Sequence, residues 1–246
     1  MNGLKQMSLA LATAGALSSG LAQAGLESRA GGTMLYDNEL NITWLADANH
    51  AKTSGYDADG FMNWDAAKTW ADNLVYGGYD DWRLPTVLDT GSPGCDEAYG
   101  GTDCGYNVQT VAGGTVYSEL AHMYQNNLGV KGRYNTSGVY QPDWGVFGNG
   151  TGGGQKDFAL VKNLQSYAYW SGTAYAPDPA SSAWYLSTDT GGQSYNLQNV
   201  GFHAWAVRPG DVAAPIPEPE TYAMLLAGLG LLGVVAKRRR RSFGAS

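Results

Sequence analysis

The sequence predicts an α+β domain: two helices packed on a small antiparallel sheet, with long loops filling the rest. Three observations lead there. Two short apolar runs, Met34–Asp37 and Ile42–Leu45, flank a polar Asn38-Glu39 and read as a hairpin. Two segments with helical spacing come next. Three runs with aromatic residues in alternation close the second half of the chain. Helices set apart from an antiparallel sheet are the mark of the α+β class.

The elements follow in order. After the hairpin a loop runs through Asp57-Ala58-Asp59-Gly60. Asn63 is placed to cap a helix, with Asp65 in its first turn and Trp64, Ala67, Ala71, Leu74 and Val75 at helical spacing. Gly77-Gly78 closes it. In the phrase Trp82-Arg83-Leu84-Pro85, Trp82 and Leu84 are expected in the core. Arg83 is expected to pair with Asp80, Asp81 or a buried carboxylate. Residues 89–114 form a Gly/Asp loop. A second helix is expected over Val116–Asn127, with Val116, Leu120 and Met123 on one face. From Gly129 to Gly154 the chain is rich in Gly, Asn, Tyr and Trp, a loop long enough to be functional. Strands are expected around Tyr167–Ser171, Ala183–Ser187 and Ala204–Arg208.

Both ends read as sorting segments. Lys5, the apolar run Met7–Leu17 and the small-residue end Ala22-Gln23-Ala24 form a secretory signal peptide, residues 1–24. Cleavage after Ala24 leaves Gly25 as the new start. At the other end Pro217-Glu218-Pro219 precedes an apolar stretch, Tyr222–Ala236, and the basic run Lys237–Arg241. Fifteen helical residues cover roughly 22 Å, short of a hydrocarbon core roughly 30 Å thick. The basic run stands where positive-inside charge stops transfer. The stretch therefore suits a temporary transmembrane helix better than a permanent span.

Between these ends lie residues 25–214, enough for one domain with a real core. Six of the 15 basic residues and two of the 22 acidic ones belong to the ends, which leaves 9 against 20 and a net charge near −11. Such a domain repels nucleic acid and anionic membrane surfaces. Its composition suits neutral ligands or cations. Export places Cys95 and Cys104 in an oxidising compartment, where a disulfide between them is expected. The short loop it closes limits the gain to about 2–3 kcal/mol. A catalytic thiol is the alternative, but neither cysteine has a histidine near it in sequence. His50, His122 and His203 have no metal spacing. No nucleophile elbow, phosphate loop or zinc motif is present. Asp57-x-Asp59-Gly60 matches part of a calcium loop, yet Lys68 stands where an EF-hand needs its Glu.

The tail closely resembles the PEP-CTERM sorting signal. The resemblance implies recognition and removal by an exosortase-type membrane protease, in a Gram-negative bacterium that makes exopolysaccharide. It also implies a passing stay of the tail in the inner membrane. A second set of phrases spans about residues 33 to 211: Thr43-Trp44-Leu45, Asn63-Trp64-Asp65, Trp82-Arg83-Leu84-Pro85, Tyr169-Trp170-Ser171-Gly172-Thr173 and Val207-Arg208-Pro209. It resembles the Lcl C-terminal domain family. That resemblance implies a C-type-lectin-like fold, a cell-surface role in adhesion or glycan binding, and no catalytic motif. Family members that bind glycosaminoglycans sit uneasily with this acidic domain, so neutral or matrix polysaccharide is the better expectation.

On that footing Gln141-Pro142-Asp143 stands out, because such a triplet in calcium-dependent lectins binds metal and sugar together. Tyr140, Gln141, Asp143 and Trp144 are the ligand-binding candidates, with Tyr134 as a further stacking ring; Asp143, Asp57 and Asp59 are candidates for Ca²⁺. The plain alternative is a turn built by Pro and Asp. The expectation is thus an exported, non-enzymatic binding or adhesion module associated with exopolysaccharide. A surface glycan-active enzyme and a purely structural matrix protein are the alternatives.

Overall fold

A computed structural model describes residues 25–90 and 98–212. The expected signal peptide, Cys95 and the sorting tail with Pro217, Glu218 and Pro219 lie outside the described residues. Among the described residues no helix is long and apolar enough to cross a membrane. The first half holds strands β1 (Leu26–Arg29), β2 (Met34–Asp37) and β3 (Ile42–Leu45), then helices α1 (His50–Thr53) and α2 (Trp64–Asp72). The middle holds β4 (Gly105–Tyr106), β5 (Val111–Ala112), β6 (Thr115–Val116) and helix α3 (Glu119–His122), which continues as a wider π-helical turn over Met123–Asn127. The last third holds β7 (Gln155–Phe158), β8 (Val161–Gln165), β9 (Ala168–Ala174), β10 (Ser182–Ser187), β11 (Gly192–Leu197) and β12 (Val207–Pro209).

Few helices and several antiparallel sheets make this an α+β arrangement. The single small sheet of the sequence reading is corrected to two four-stranded sheets, ordered β1-β2-β3-β12 and β4-β11-β10-β9, with two-stranded ribbons β5-β6 and β7-β8 beside them. The expected hairpin is present, with Leu35 opposite Trp44 and Asp37 opposite Ile42. Its turn is held by Asp37, whose Oδ1 accepts from the backbone N–H of Glu39 at 3.1 Å and of Leu40 at 3.0 Å. β12 returns from the far end of the chain to cover β3, placing Val207 opposite Trp44. With strands on both sides, every residue of β3 is buried, and its run is apolar almost throughout.

Tryptophan builds this core. All eight tryptophans are buried. Trp44 and Trp205 lie with ring centroids 4.7 Å apart. Buried indoles need a partner for the N–H, and the backbone supplies it for four of the eight: Trp64 donates to Ser171 O (2.7 Å), Trp82 to Tyr76 O (3.3 Å), Trp170 to Met62 O (2.9 Å) and Trp205 to Leu45 O (2.7 Å). In the Trp82-Arg83-Leu84-Pro85 phrase, Trp82 and Leu84 are buried as expected. Arg83 passes over Asp80 and Asp81 and takes the buried carboxylate of Glu119 in a two-armed pair, 2.7 and 2.8 Å. Asp81 binds Arg208 instead, at 2.7 and 2.9 Å.

The helices begin where capping chemistry puts them. Asn63 accepts from Ala66 N at 2.9 Å and starts α2. That helix stops at Asp72, not at Val75, because Asn73 turns its amide back onto Thr69 O at 2.8 Å. The second helix starts three residues later than expected. Ser118 is its cap, its Oγ accepting from Ala121 N at 3.1 Å. Thr115 and Val116 lie in β6, as β-branched residues prefer.

Candidate functional site

The loop from Gly129 to Gly154 has no strand or helix of its own. It is nonetheless held, by two bonds to the β10–β11 turn and one within itself. Arg133 N donates to Thr190 O (2.8 Å), Val146 N to Thr188 O (3.2 Å) and Gly145 N to Lys131 O (2.9 Å). Within it Tyr134 and Tyr140 pair as a small antiparallel bridge, and Asn107 Nδ2 clamps Tyr134 O at 2.9 Å.

This framework lines up a row of rings. Tyr99 lies 5.1 Å from Tyr134, Tyr106 lies 5.2 Å from Tyr134, and Tyr134 lies 6.1 Å from Tyr140. Trp144 ends the row, 6.4 Å from Tyr140, and donates its indole N–H to the Tyr140 hydroxyl at 2.8 Å. Tyr99 and Tyr140 are exposed; Tyr106 and Tyr134 are half-buried. Trp144 is buried beneath the Arg133 guanidinium, 4.4 Å from the ring centroid, so it supports the row and is not its ligand-facing member.

The triplet behaves as a turn. Gln141 donates to Gly132 O at 2.7 Å. Asp143 pairs with Lys131 at 2.6 Å, and that cation holds its carboxyl below the usual range. Asp57 Oδ1 accepts from Asp59 N and Gly60 N (3.1 and 2.6 Å), and Asp59 Oδ1 from Phe61 N (2.9 Å), two consecutive side-chain turns. Among the described residues no three His, Cys, Asp or Glu stand together so as to hold a metal ion. Asp57, Asp59 and Asp143, the candidates for Ca²⁺, are engaged in side-chain turns and an ion pair. Cys104 is buried, and there is no free cysteine among the described residues; its expected partner Cys95 lies outside them.

The far end of the same loop borders a cleft of about 410 Å³. Gly152, Gly153 and Gly154 form one side without side chains to fill it. Phe61 and Tyr167 form another, both more than a third exposed, with ring centroids 5.5 Å apart. Gln165, Asp189 and His203 supply the polar lining. Asp189 accepts from the Ser187 hydroxyl. His203 is buried against Phe61, centroids 4.3 Å apart, and its Nδ1 has no protein partner. Burial lowers its pKa to about 4, so the ring is neutral at pH 7. Sequence reading missed this cleft, because Phe61, Tyr167, Asp189 and His203 come from four separate segments. The one available signal was the Gly152-Gly153-Gly154 run.

Residues 215–241 match the family model of the PEP-CTERM protein-sorting motif. The motif marks an exported bacterial protein that is processed by an exosortase, a membrane protease, and delivered to the cell envelope or surface. No curated protein and no solved structure matches the chain.

Proposed function

We propose that the domain is a non-enzymatic binding module for neutral polysaccharide at the surface or in the matrix, with the Phe61–Tyr167 cleft as its sugar subsite. The observation that carries this reading is the make-up of the cleft. Two part-exposed aromatic rings offer flat apolar faces to a sugar ring. Asp189 supplies an acceptor for its hydroxyls, and the buried, neutral His203 ring backs Phe61. Few polar groups among apolar walls is the usual constitution of a small-molecule site. Exposed Tyr140 of the same loop and Tyr99 beside it give a second stacking surface for a longer chain. The net acidity between the ends disfavours sulfated polymers and leaves neutral ones. The Lcl-type phrases noted above agree with a surface adhesion role, and the sorting motif with delivery to where exopolysaccharide lies.

The test is equilibrium binding of the exported protein to neutral polysaccharide purified from the producer's own matrix. Tyr167→Ala and Phe61→Ala should each weaken binding about ten-fold or more, as the loss of one stacking ring requires; Tyr140→Ala should weaken it less. Unchanged affinity in both cleft variants would remove the cleft from the reading. No binding by the unaltered protein would end it.

A further inference from the structure

Strand β1 begins one residue after Gly25, and Leu26 is already fully buried. Gly25 itself lies against a polar cluster with too many acceptors. Its φ is +83°, and a Cβ there would fall 2.6 Å from Asn127 Oδ1 and 3.7 Å from the Glu39 carboxyl carbon. Asn127 is 1 % exposed. Its Nδ2 donates to Asp37 Oδ2 at 2.6 Å, while its Oδ1 has no hydrogen-bond partner. Asp37 is wholly buried, and burial raises its pKa. His122 Nε2 stands 3.6 Å from Asp37 Oδ2 and 3.4 Å from Glu39 Oε2, and neither ring nitrogen makes a hydrogen bond. Among the described residues His122 is the basic side chain in range of these carboxylates. The Glu39 carboxyl and an orphaned amide oxygen thus converge on Gly25, with the buried Asp37 carboxylate bonded to the other arm of Asn127. Buried acceptors left without donors are costly and rare.

We propose that the mature protein supplies the missing donor itself: the α-ammonium of Gly25, created by removal of the leader, docks on Asn127 Oδ1 and the Glu39 carboxylate. The inference rests on the export reading and not on the sugar-binding one. Hydrolysis of the Ala24–Gly25 peptide bond consumes one water. Ala24 keeps the new carboxylate, and Gly25 keeps the amine, which takes up a proton. Before cleavage that nitrogen is a neutral amide with one N–H. Afterwards it carries a charge and three N–H donors, and with the peptide bond gone a rotation about the Gly25 Cα–C bond brings it into the Cβ direction, which points at both acceptors. The socket therefore distinguishes the processed chain from its precursor and ties down the first strand only after export. It also explains the glycine that follows Ala22-Gln23-Ala24, since any side chain at 25 would collide with Asn127. The groups facing the docked amine are Asp37, Glu39 and His122.

The full chain is exported from a bacterial host, purified, and its intact mass read. A start at Gly25 is expected, and any other start overturns the proposal at the cleavage step. Amine acetylation at pH 7 is then followed by mass spectrometry. The Gly25 amine should react at least ten-fold more slowly than that of the free peptide Gly-Leu-Glu-Ser-Arg, and Glu39→Gln should restore most of the rate. Glu39 is half-exposed, so this variant keeps its fold. A chain exported with one extra alanine ahead of Gly25 should melt several degrees lower, and Glu39→Gln should abolish that difference. A native labelling rate within two-fold of the peptide's, or equal melting of the two starts, overturns the proposal whatever the polysaccharide assay shows.

Discussion

The tryptophan-built body and the tyrosine-lined loop face use the same kinds of side chain to opposite ends. In the body, indoles are buried, and those of Trp64, Trp170 and Trp205 spend their N–H groups on backbone carbonyls. On the face, Tyr99, Tyr140 and Tyr167 keep much of their rings in water. Ion pairs divide the same way. Arg83–Glu119 is two-armed on a buried carboxylate, and Glu119 Oε2 also accepts from Thr86 N at 2.7 Å. Lys131–Asp143 is a single contact with both side chains more than half exposed. Contact distance alone does not separate the two pairs, since each has a 2.7 Å or shorter approach. Water does, because it surrounds both members of the second pair and reaches only the arginine of the first.

The largest effect expected from that contrast is at Glu119. Glu119→Ala takes both arms away from a partly exposed guanidinium and strips Thr86 N of its acceptor, and should cost about 2–3 kcal/mol in urea unfolding. Polysaccharide binding per folded molecule should stay as it was, because the cleft draws on neither residue. Loss of binding without loss of stability would contradict the division between body and face.

Next in size is Gly150→Ala. Gly150 has φ +71°, and a Cβ there would lie 1.9 Å from Trp144 Cζ2, on a ring held from another side by Arg133. Overpacking at such a site costs about 1–3 kcal/mol. Here the loop face itself should shift, and Tyr140 fluorescence and sugar affinity should change together. His203 gives a pH test of similar size. Its folded pKa is lowered to about 4 by burial, against 6.5 for the free ring. The unfolded chain therefore takes up a proton that the folded one refuses, and stability should fall as pH drops from about 6.5 toward 4, then level off. His203→Gln should flatten that segment of the stability–pH curve.

How much of this was legible in the sequence depended on range. The β2-β3 hairpin was read to the residue, because its apolar runs and its turn are local. Asn63 was read as a cap for the same reason. β11 was missed because Gly192-Gln193-Ser194-Tyr195-Asn196-Leu197 is mostly polar and earns its place only by pairing with β10, Trp184 opposite Tyr195. β1 was missed because four residues beside a leader give no periodicity. The row from Tyr134 to Trp144 was half visible, since Tyr140 and Trp144 are adjacent in the loop, but the burial of Trp144 depends on Arg133 and Gly150 folding onto it. The cleft joins residues as far apart as Phe61 and His203, and nothing local announces it.

The smallest expected effect is the most informative about the triplet. Asp143→Ala removes one arm of an exposed pair whose carboxylate is held by Lys131 and by nothing buried. The urea midpoint should not move measurably, since pairs of this kind contribute little and less still at high salt. If Gln141-Pro142-Asp143 is a turn, polysaccharide affinity should likewise be the same with calcium, with chelator and in the variant. A calcium-dependent affinity that disappears in Asp143→Ala would return the triplet to the centre of the site. It would require Lys131 to release the carboxylate, and with it a rearrangement of the Lys131–Gly145 stretch on which the tyrosine row is built. The same variant therefore reports on metal and on the row at once: an unchanged Tyr140 environment with unchanged affinity places sugar binding on the rings and the cleft alone.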